Sequence, residues 1–279
     1  MKLSKTIALL LSCTLLLLTA GCGASPKPAP SAAPEVTSTP AVTATPEPTA
    51  TPEPTPTATP EPMFTNPLTG EQTYTDYSQT RPVAIMVENN HWDDGTLIAQ
   101  GGLSQADIVY EMQVESITRN MFLFMDTDGL NNVFPIRSAR SYFVSAALSY
   151  DAIFAHCGKS GEGLEFADTM LVNYTDADDI EVHEGSCGFR QYDAPYFGAV
   201  HSMTTTGERL QDLFAQYGTR TTHRTDGYDY GLHFTEDAAP VNGEAAGSIH
   251  IVFPTNKITD FSYDAEKGGY TSTQWNSAY

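Results

Sequence analysis

Residues 23–62 constrain the architecture of this chain most, because they cannot form a hydrophobic core. They consist almost entirely of Pro, Thr, Ala, Ser and Glu, and the motif Thr-Pro-Glu-Pro occurs three times among them. Such a composition buries too little apolar surface to offset the entropy lost on ordering, and dense proline favours extended polyproline II. We therefore predict a disordered tether over 22–62, with folded structure from residue 63 onward.

The first 21 residues have the pattern of a bacterial lipoprotein signal peptide. Lys2 and Lys5 form a positively charged start, an apolar run extends over 7–18, and small residues lead to Cys22. The run is shorter than the roughly 20 residues of a membrane-spanning helix. In lipoprotein signal peptides the Cys thiol receives a diacylglyceryl group, and we predict this modification at Cys22. Its two acyl chains would hold the protein to a membrane far better than one chain. The predicted location is the extracytoplasmic face of the cell membrane.

Charge and cysteine content restrict the classes of function. The formal net charge of −20 has the wrong sign for a surface that binds nucleic acid. The sequence contains no His-x-x-x-His or Cys-x-x-Cys spacing, so we predict neither a metal site nor another cofactor. Outside the cell Cys157 and Cys187 can form a disulfide or remain as two thiols, and buried thiols are the favoured reading.

Hydrophobic periodicity predicts strands and helices in alternation. Gly268-Gly269 lies between two strand-like segments and predicts a hairpin. Thr205 and Glu208 have the spacing of a capping box at the start of a helix. The predicted strands cover 82–88, 106–112, 120–125, 152–156 and 248–253, and the predicted helices cover 141–150, 161–171 and 207–217.

These elements predict a mixed α/β, or α+β, fold. We expect a mixed sheet with flanking helices over 63–240. Residues 241–279 are expected to begin an antiparallel, strand-rich part. The strand pattern runs to the last residue, which predicts that this part continues in a longer protein.

A basic cluster precedes the predicted helix at 141–150. Arg137-Ser138-Ala139-Arg140 places two guanidinium groups and a candidate N-cap serine at a helix N-terminus, where backbone N–H groups and the helix dipole favour anions. Arginine forks bind carboxylate and phosphate groups in a bidentate manner. We predict that Arg137, Ser138 and Arg140, with Arg119, bind an anionic ligand. Internal pairing with the many acidic residues is the alternative.

His156 is a candidate acid or base. It ends a predicted strand, and strand ends in α/β sheets are where ligand crevices form. With Asp107 or Glu111 it could transfer protons in a reaction. A buried structural histidine is the alternative.

Several sequence motifs follow one another along the predicted folded part. They are Asn66-Pro-Leu-Thr-Gly70, Arg81-Pro-Val-Ala-Ile-Met86, Gly102-Leu-Ser-Gln-Ala-Asp-Ile-Val-Tyr-Glu111, Ile117-Thr-Arg119, Pro135-Ile-Arg-Ser-Ala-Arg140, Tyr142-Phe143, Tyr150-Asp-Ala152 and His156. In these motifs and their order the chain resembles the YerB-like lipoproteins, whose domain has no assigned function, over residues 64–215. His201-Ser-Met-Thr-Thr-Thr-Gly207 stands where the family usually has Pro-His-Asn-Leu-Tyr, and this makes His201 a further candidate acid or base. The resemblance implies a cell-surface lipoprotein of a bacterium of Gram-positive type, without an assigned reaction.

Three functions agree with these features. The first is a binding module for an anionic ligand or a cell-envelope component at the arginine-rich helix start. The second is a hydrolase or transferase that acts on the cell wall through His156, so that enzymatic activity stays an open question. The third is a protein–protein adaptor at the membrane, which a large exposed apolar patch would favour.

Overall fold

The computed structural model describes residues 63–91, 97–115, 117–159, 179–191, 201–235, 243–254, 257–274 and 277–278. Cys22, the tether and the predicted helix at 161–171 lie outside these residues. The strands are β1 (Phe64–Thr65), β2 (Gln72–Thr73), β3 (Val83–Asn89), β4 (Ile108–Gln113), β5 (Thr118–Phe124), β6 (Ile153–His156), β7 (Asp179–Glu181), β8 (Phe189–Arg190), β9 (Met203–Thr204), β10 (Ser248–Val252), β11 (Ile258–Asp264), β12 (Gly269–Gln274) and β13 (Ser277–Ala278). The α-helices are α1 (Ser141–Ser149) and α2 (Gly207–Tyr217), and a 3-10 turn covers Leu103–Gln105.

A mixed sheet with strand order β4-β5-β3-β6-β7 is the centre of the described chain. β3, β6 and β7 run parallel, whereas β5 is antiparallel to both β3 and β4. Every residue of β3 and β5 is buried. These strands are covered on both faces, which explains why their sequences are nearly continuous apolar runs. The predicted mixed sheet is confirmed.

The two helices cover opposite faces of this sheet. Phe143 of α1 belongs to one buried apolar cluster with Met86 and Phe154, and Phe214 of α2 belongs to a second cluster with Ile85. Their apolar side chains therefore form two separate cores, one on each side of the sheet. Both helices lie within one residue of their predicted ends.

The start of α2 corrects one detail of the prediction. Its N-cap is Thr206, whose hydroxyl accepts a hydrogen bond from Arg209 N at 3.3 Å. The predicted capping box of Thr205 and Glu208 is therefore wrong by one residue. Thr205 is held elsewhere, because its hydroxyl donates to Cys187 O at 2.9 Å.

The last strands form an antiparallel sheet with the order β10-β11-β12-β13. The antiparallel ladder between β11 and β12 extends to the residue pair Asp264 and Gly269, next to the turn. This confirms the predicted hairpin. Buried Lys257 and Thr259 join this sheet to Glu111 of β4 through an ion pair and a hydrogen bond. Among the described residues no helix is long and apolar enough to cross a membrane.

Candidate anion-binding site

Three parallel strands end at one edge of the central sheet. Glu88 lies next to the end of β3, His156 ends β6 and Glu181 ends β7. Because β5 runs in the opposite direction, it begins at this edge, and Arg119 pairs directly with Glu88 across the ladder. Ligands of open α/β sheets commonly bind at the carboxyl ends of the parallel strands.

The segment before α1 is fixed along this edge by backbone hydrogen bonds. Arg137 N donates to Met86 O at 3.0 Å, and Cys157 N donates to Arg137 O at 3.0 Å. Ala139 N donates to Gly158 O at 2.8 Å. The segment therefore bridges the ends of β3 and β6 and holds its side chains over the carboxyl edge.

Helix α1 begins at this segment without a side-chain cap. Its N-cap residue is Arg140, in an extended conformation, and no side chain makes a capping hydrogen bond there. The prediction that Ser138 is the N-cap is wrong, because the helix begins only at Ser141. The positive end of the helix dipole thus lies beside Arg140, where it favours negative charge.

The structure brings the predicted arginines together. The Nη1 atoms of Arg119 and Arg140 both donate to Ser138 O, at 2.9 and 3.2 Å. Arg137 Nε lies 2.8 Å from Glu88 Oε2. Arg119, Arg137 and Arg140 are called the arginine cluster below, and Ser138 contributes its carbonyl oxygen to it.

The carboxylates near the arginine cluster leave one positive charge unmatched. Arg140 makes two hydrogen bonds to Glu115, at 2.7 and 3.0 Å, which lower the pKa of Glu115 to about 2. Arg137 pairs with Glu88. Arg119 is 95% buried and has no carboxylate within ion-pair distance among the described residues. Burial and the charges of Arg140 and Arg137 lower the pKa of Arg119 to about 10.

Buried atoms on two neighbouring strands of this site have no hydrogen-bond partner among the described residues. Glu88 is fully buried, and its Oε2 contacts Arg137 and accepts a hydrogen bond from His201 Nδ1 at 3.0 Å. Glu88 Oε1 has no partner, and neither has Arg119 Nε. Because buried polar groups are nearly always hydrogen-bonded, an unmatched acceptor and an unmatched donor on neighbouring strands are unusual in a folded protein.

His156 lies at the same edge but is held by its own neighbours. Its Nδ1 contacts Gly158 O at 2.9 Å and its Nε2 contacts Asp179 Oδ1 at 2.7 Å. Lys159 Nζ donates to the other oxygen of Asp179 at 2.8 Å. Nδ1 also lies 3.2 Å from Glu181 Oε2, so both ring nitrogens are engaged by neighbouring oxygen atoms.

Asp107 and Glu111 are not brought together with His156. Asp107 is at the opposite edge of the sheet, where it accepts hydrogen bonds from Asn66 Nδ2 and Met125 N. Glu111 is on β4, three strands from β6, which corresponds to about 14 Å at the usual strand spacing. Its carboxylate is engaged with the last sheet.

Sequence reasoning missed the carboxylates that complete this edge. Glu88 follows directly after the apolar run over 83–87, and a charged residue at the end of a buried strand is a usable signal. Asp179 lies in a three-residue strand without a clear hydrophobic pattern, so nothing in the sequence pointed to it.

The described residues also include two cysteines and several possible metal ligands. Among the described residues no group of three or more His, Cys, Asp or Glu side chains is placed to hold a metal ion. Cys157 and Cys187 are free thiols, and burial raises the pKa of both.

Comparison with known proteins gives a family but no activity. The model of the family described as "Protein of unknown function (DUF3048) N-terminal domain" matches residues 68–220. The Bacillus subtilis (strain 168) protein named "Putative lipoprotein YerB" is 32% identical over 209 residues, which are 74% of this chain and 58% of that protein. The chain thus spans 58% of the length of the curated relative that it matches.

A solved structure gives the same result. The crystal structure of the YerB protein from Bacillus subtilis superposes with a TM-score of 0.60 at 26% sequence identity, covering 77% of this chain and 68% of that chain. The resemblance inferred from the sequence motifs is therefore confirmed. The chain belongs to the family of YerB-like proteins that carry the DUF3048 N-terminal domain.

Proposed function

We propose that this protein is a membrane-anchored lipoprotein whose folded part binds an anionic ligand at the arginine cluster. The lipid anchor is supported by the pattern of residues 1–22 and by the name of the Bacillus subtilis relative. With the anchor at Cys22, the tether would hold the folded part outside the cytoplasmic membrane, where a small molecule or a cell-envelope component is the available ligand.

The observation that carries the proposal is the unmatched charge of Arg119. A buried cation without a carboxylate is unfavourable for stability, and folded proteins normally pair such a group. A bound carboxylate or phosphate would supply the missing negative charge and accept hydrogen bonds from the guanidinium. The formal net charge of −20 repels anions at long range, so the excess positive charge of Arg119 attracts an anion only at short range.

The alternatives draw less support from the geometry. A hydrolase or transferase would use His156 as acid or base, yet Asp107 and Glu111 lie far from it, and its ring nitrogens are engaged by Gly158 O and the Asp179 carboxylate. An adaptor would use exposed apolar side chains such as Ile249, Tyr263 and Tyr270 of the last sheet, which are 41%, 50% and 45% exposed. Those side chains carry no unmatched charge or hydrogen-bonding group that selects a partner.

Thermal unfolding with and without anions tests the proposal. The lipidated protein, purified in a non-ionic detergent, is heated with inorganic phosphate, acetate or N-acetylglycine while tyrosine and tryptophan fluorescence is recorded. A ligand at 100 times its Kd stabilises the folded state by about 2.7 kcal/mol. We expect at least one anion to raise the Tm of the wild type.

Variants locate the site. Arg140→Ala and Arg119→Met should lose the anion-dependent rise in Tm, whereas Arg224→Ala, a change of an exposed arginine, should keep it. Circular dichroism shows whether each variant is folded, and Arg140→Ala decides the question if Arg119→Met is not. No anion effect in the wild type, or an effect that survives Arg140→Ala, would reject the proposal.

A further inference from the structure

The unmatched atoms of Glu88 and Arg119 face the same side of the sheet. The two residues are direct cross-strand partners on β3 and β5, and directly opposite side chains lie about 5 Å apart at Cβ. Both residues share the face of Met86, which packs against α1. Nevertheless, the two side chains do not pair with each other, since Glu88 Oε1 and Arg119 Nε both lack partners.

Other polar atoms of the two side chains are already used. Glu88 Oε2 is occupied by Arg137 and His201, and Arg119 Nη1 donates to Ser138 O. The site thus offers a buried acceptor with negative charge and a buried donor with positive charge on directly opposite residues of β3 and β5. A ligand that satisfies both must carry an acceptor and a donor on neighbouring atoms.

We propose that the ligand is a carboxylate with a neutral hydrogen-bond donor on the adjacent carbon. This proposal rests on the anion-binding function argued above. The carboxylate would accept from the Arg119 guanidinium, and the donor would point at Glu88 Oε1. The free carboxyl end of a peptide has this arrangement, with its last amide N–H as donor, and a 2-hydroxy acid has it with a hydroxyl group.

Charge balance favours a neutral donor over an ammonium group. Glu88 is paired with Arg137 and Glu115 with Arg140, so Arg119 alone is in excess. A ligand of charge −1 neutralises the site, whereas an amino acid zwitterion brings no net charge. A free amino acid should therefore bind more weakly than its N-acetyl derivative.

A simple anion satisfies only half of the site. Acetate can accept from Arg119, but it has no donor for Glu88 Oε1 and would approach that oxygen with its own methyl group or negative charge. A buried charged group that stays without a hydrogen bond is strongly unfavourable. The donor on the ligand should accordingly strengthen binding about tenfold or more.

A matched pair of probes tests this without changing the protein. N-acetylglycine has the carboxylate and the amide N–H, and N-acetylsarcosine differs only by a methyl group in place of that hydrogen. Isothermal titration of the lipidated protein in detergent measures Kd for both compounds and for acetate, glycolate and glycine. We expect N-acetylglycine to bind at least about tenfold more tightly than N-acetylsarcosine and acetate, and more tightly than glycine.

The two proposals fail in different ways. If acetate, N-acetylglycine and N-acetylsarcosine bind equally and Arg140→Ala abolishes binding, the anion site stands and the donor is wrong. If no compound binds, both proposals are wrong. Tighter binding of glycolate than of N-acetylglycine would assign a 2-hydroxy acid, and the reverse order would assign a peptide carboxyl end.

A variant of Glu88 tests whether this carboxylate accepts the hydrogen bond from the ligand. Glu88→Leu removes both carboxylate oxygens, so the side chain can no longer accept a hydrogen bond from the ligand. The ratio of Kd between N-acetylsarcosine and N-acetylglycine should fall toward 1 in this variant, while Glu115→Gln should leave the ratio unchanged. An unchanged ratio in folded Glu88→Leu would overturn the assignment of the donor to Glu88.

Discussion

Replacement of Arg119 by methionine should stabilise the ligand-free protein while it abolishes anion binding. The side chain is 95% buried and its charge has no carboxylate partner, so the ligand-free fold carries an unfavourable buried cation. Methionine has a similar length, adapts to irregular space and brings no charge. A residue that weakens the fold but binds a ligand is expected at functional sites.

The size of the effect follows from the surroundings of Arg119. Its pKa is lowered from 12.5 to about 10 by burial and by Arg140 and Arg137, which corresponds to about 3 kcal/mol of destabilisation of the charged form. The variant loses the hydrogen bond to Ser138 O, a contribution of about 1 kcal/mol. That oxygen keeps a second donor, Arg140 Nη1 at 3.2 Å. The net gain is about 2 kcal/mol, or a rise in Tm of roughly 4–8 °C for a domain of this size.

Thermal unfolding at pH 7 in a buffer free of carboxylates and phosphate measures this difference, with Arg224→Met as the control for an exposed arginine. The pKa of Arg119 is lower in the folded state, so the destabilisation is complete below about pH 10 and is relieved as the pH rises further. The difference in Tm between the Arg119 variant and the wild type should therefore shrink above pH 10. A variant that is folded but several degrees less stable than the wild type at pH 7 would refute the reasoning and make Arg119 a structural residue.

Three further results are expected. Glu115→Gln removes the carboxylate partner of Arg140 and should tighten binding of the N-acetylglycine probe up to about fivefold, measured by titration, because exposed ion pairs contribute at most about 1 kcal/mol. Burial alone would raise the pKa of Asp179, but hydrogen bonding to His156 brings it below 3.8. Asp179→Asn should therefore lower the free energy of unfolding, measured with denaturant at pH 7, by about 2 kcal/mol. The difference in stability between variant and wild type should disappear as the pH falls through that lowered pKa. Equal stability of the two proteins at pH 7 would contradict this prediction. Cys22→Ser should abolish labelling by an alkyne analogue of palmitate and release the protein from membranes, whereas retention would argue against the lipid anchor.

The elements that the sequence predicted correctly are those with a local signal. β3 and β5 are buried on both faces, and their apolar runs are long enough to distinguish them from loops. α2 has an amphipathic pattern and ends at Gly218, whose φ of 65° suits a residue without a side chain. The short strands β7, β8 and β9 have no such signal, because two or three residues give no measurable periodicity.

Only some residues of the site could be predicted from the sequence, because only some of them have a local signal. The motif that contains Arg137 and Arg140 is visible in the sequence, since neighbouring residues share a helix start. The position of Arg119 opposite Glu88 depends on the antiparallel register of β3 and β5, and these two residues are 31 positions apart in the sequence. A shift of one residue in that register would move both side chains to the other face, and no local pattern fixes it.

Arg81 is an example, in the same fold, of a buried arginine with a structural role. Arg81 is fully buried at the opposite edge, and its guanidinium donates to the carbonyl oxygens of Asp151, Ala152 and Arg220 while lying 3.4 Å from the Asp151 carboxylate. All three of its nitrogens have acceptors, and its charge has a partner. Arg119 is buried almost as deeply with one acceptor and no carboxylate. The fold supplies an acceptor for every nitrogen of the Arg81 guanidinium. The missing acceptors around Arg119 therefore support the proposal that a ligand supplies them.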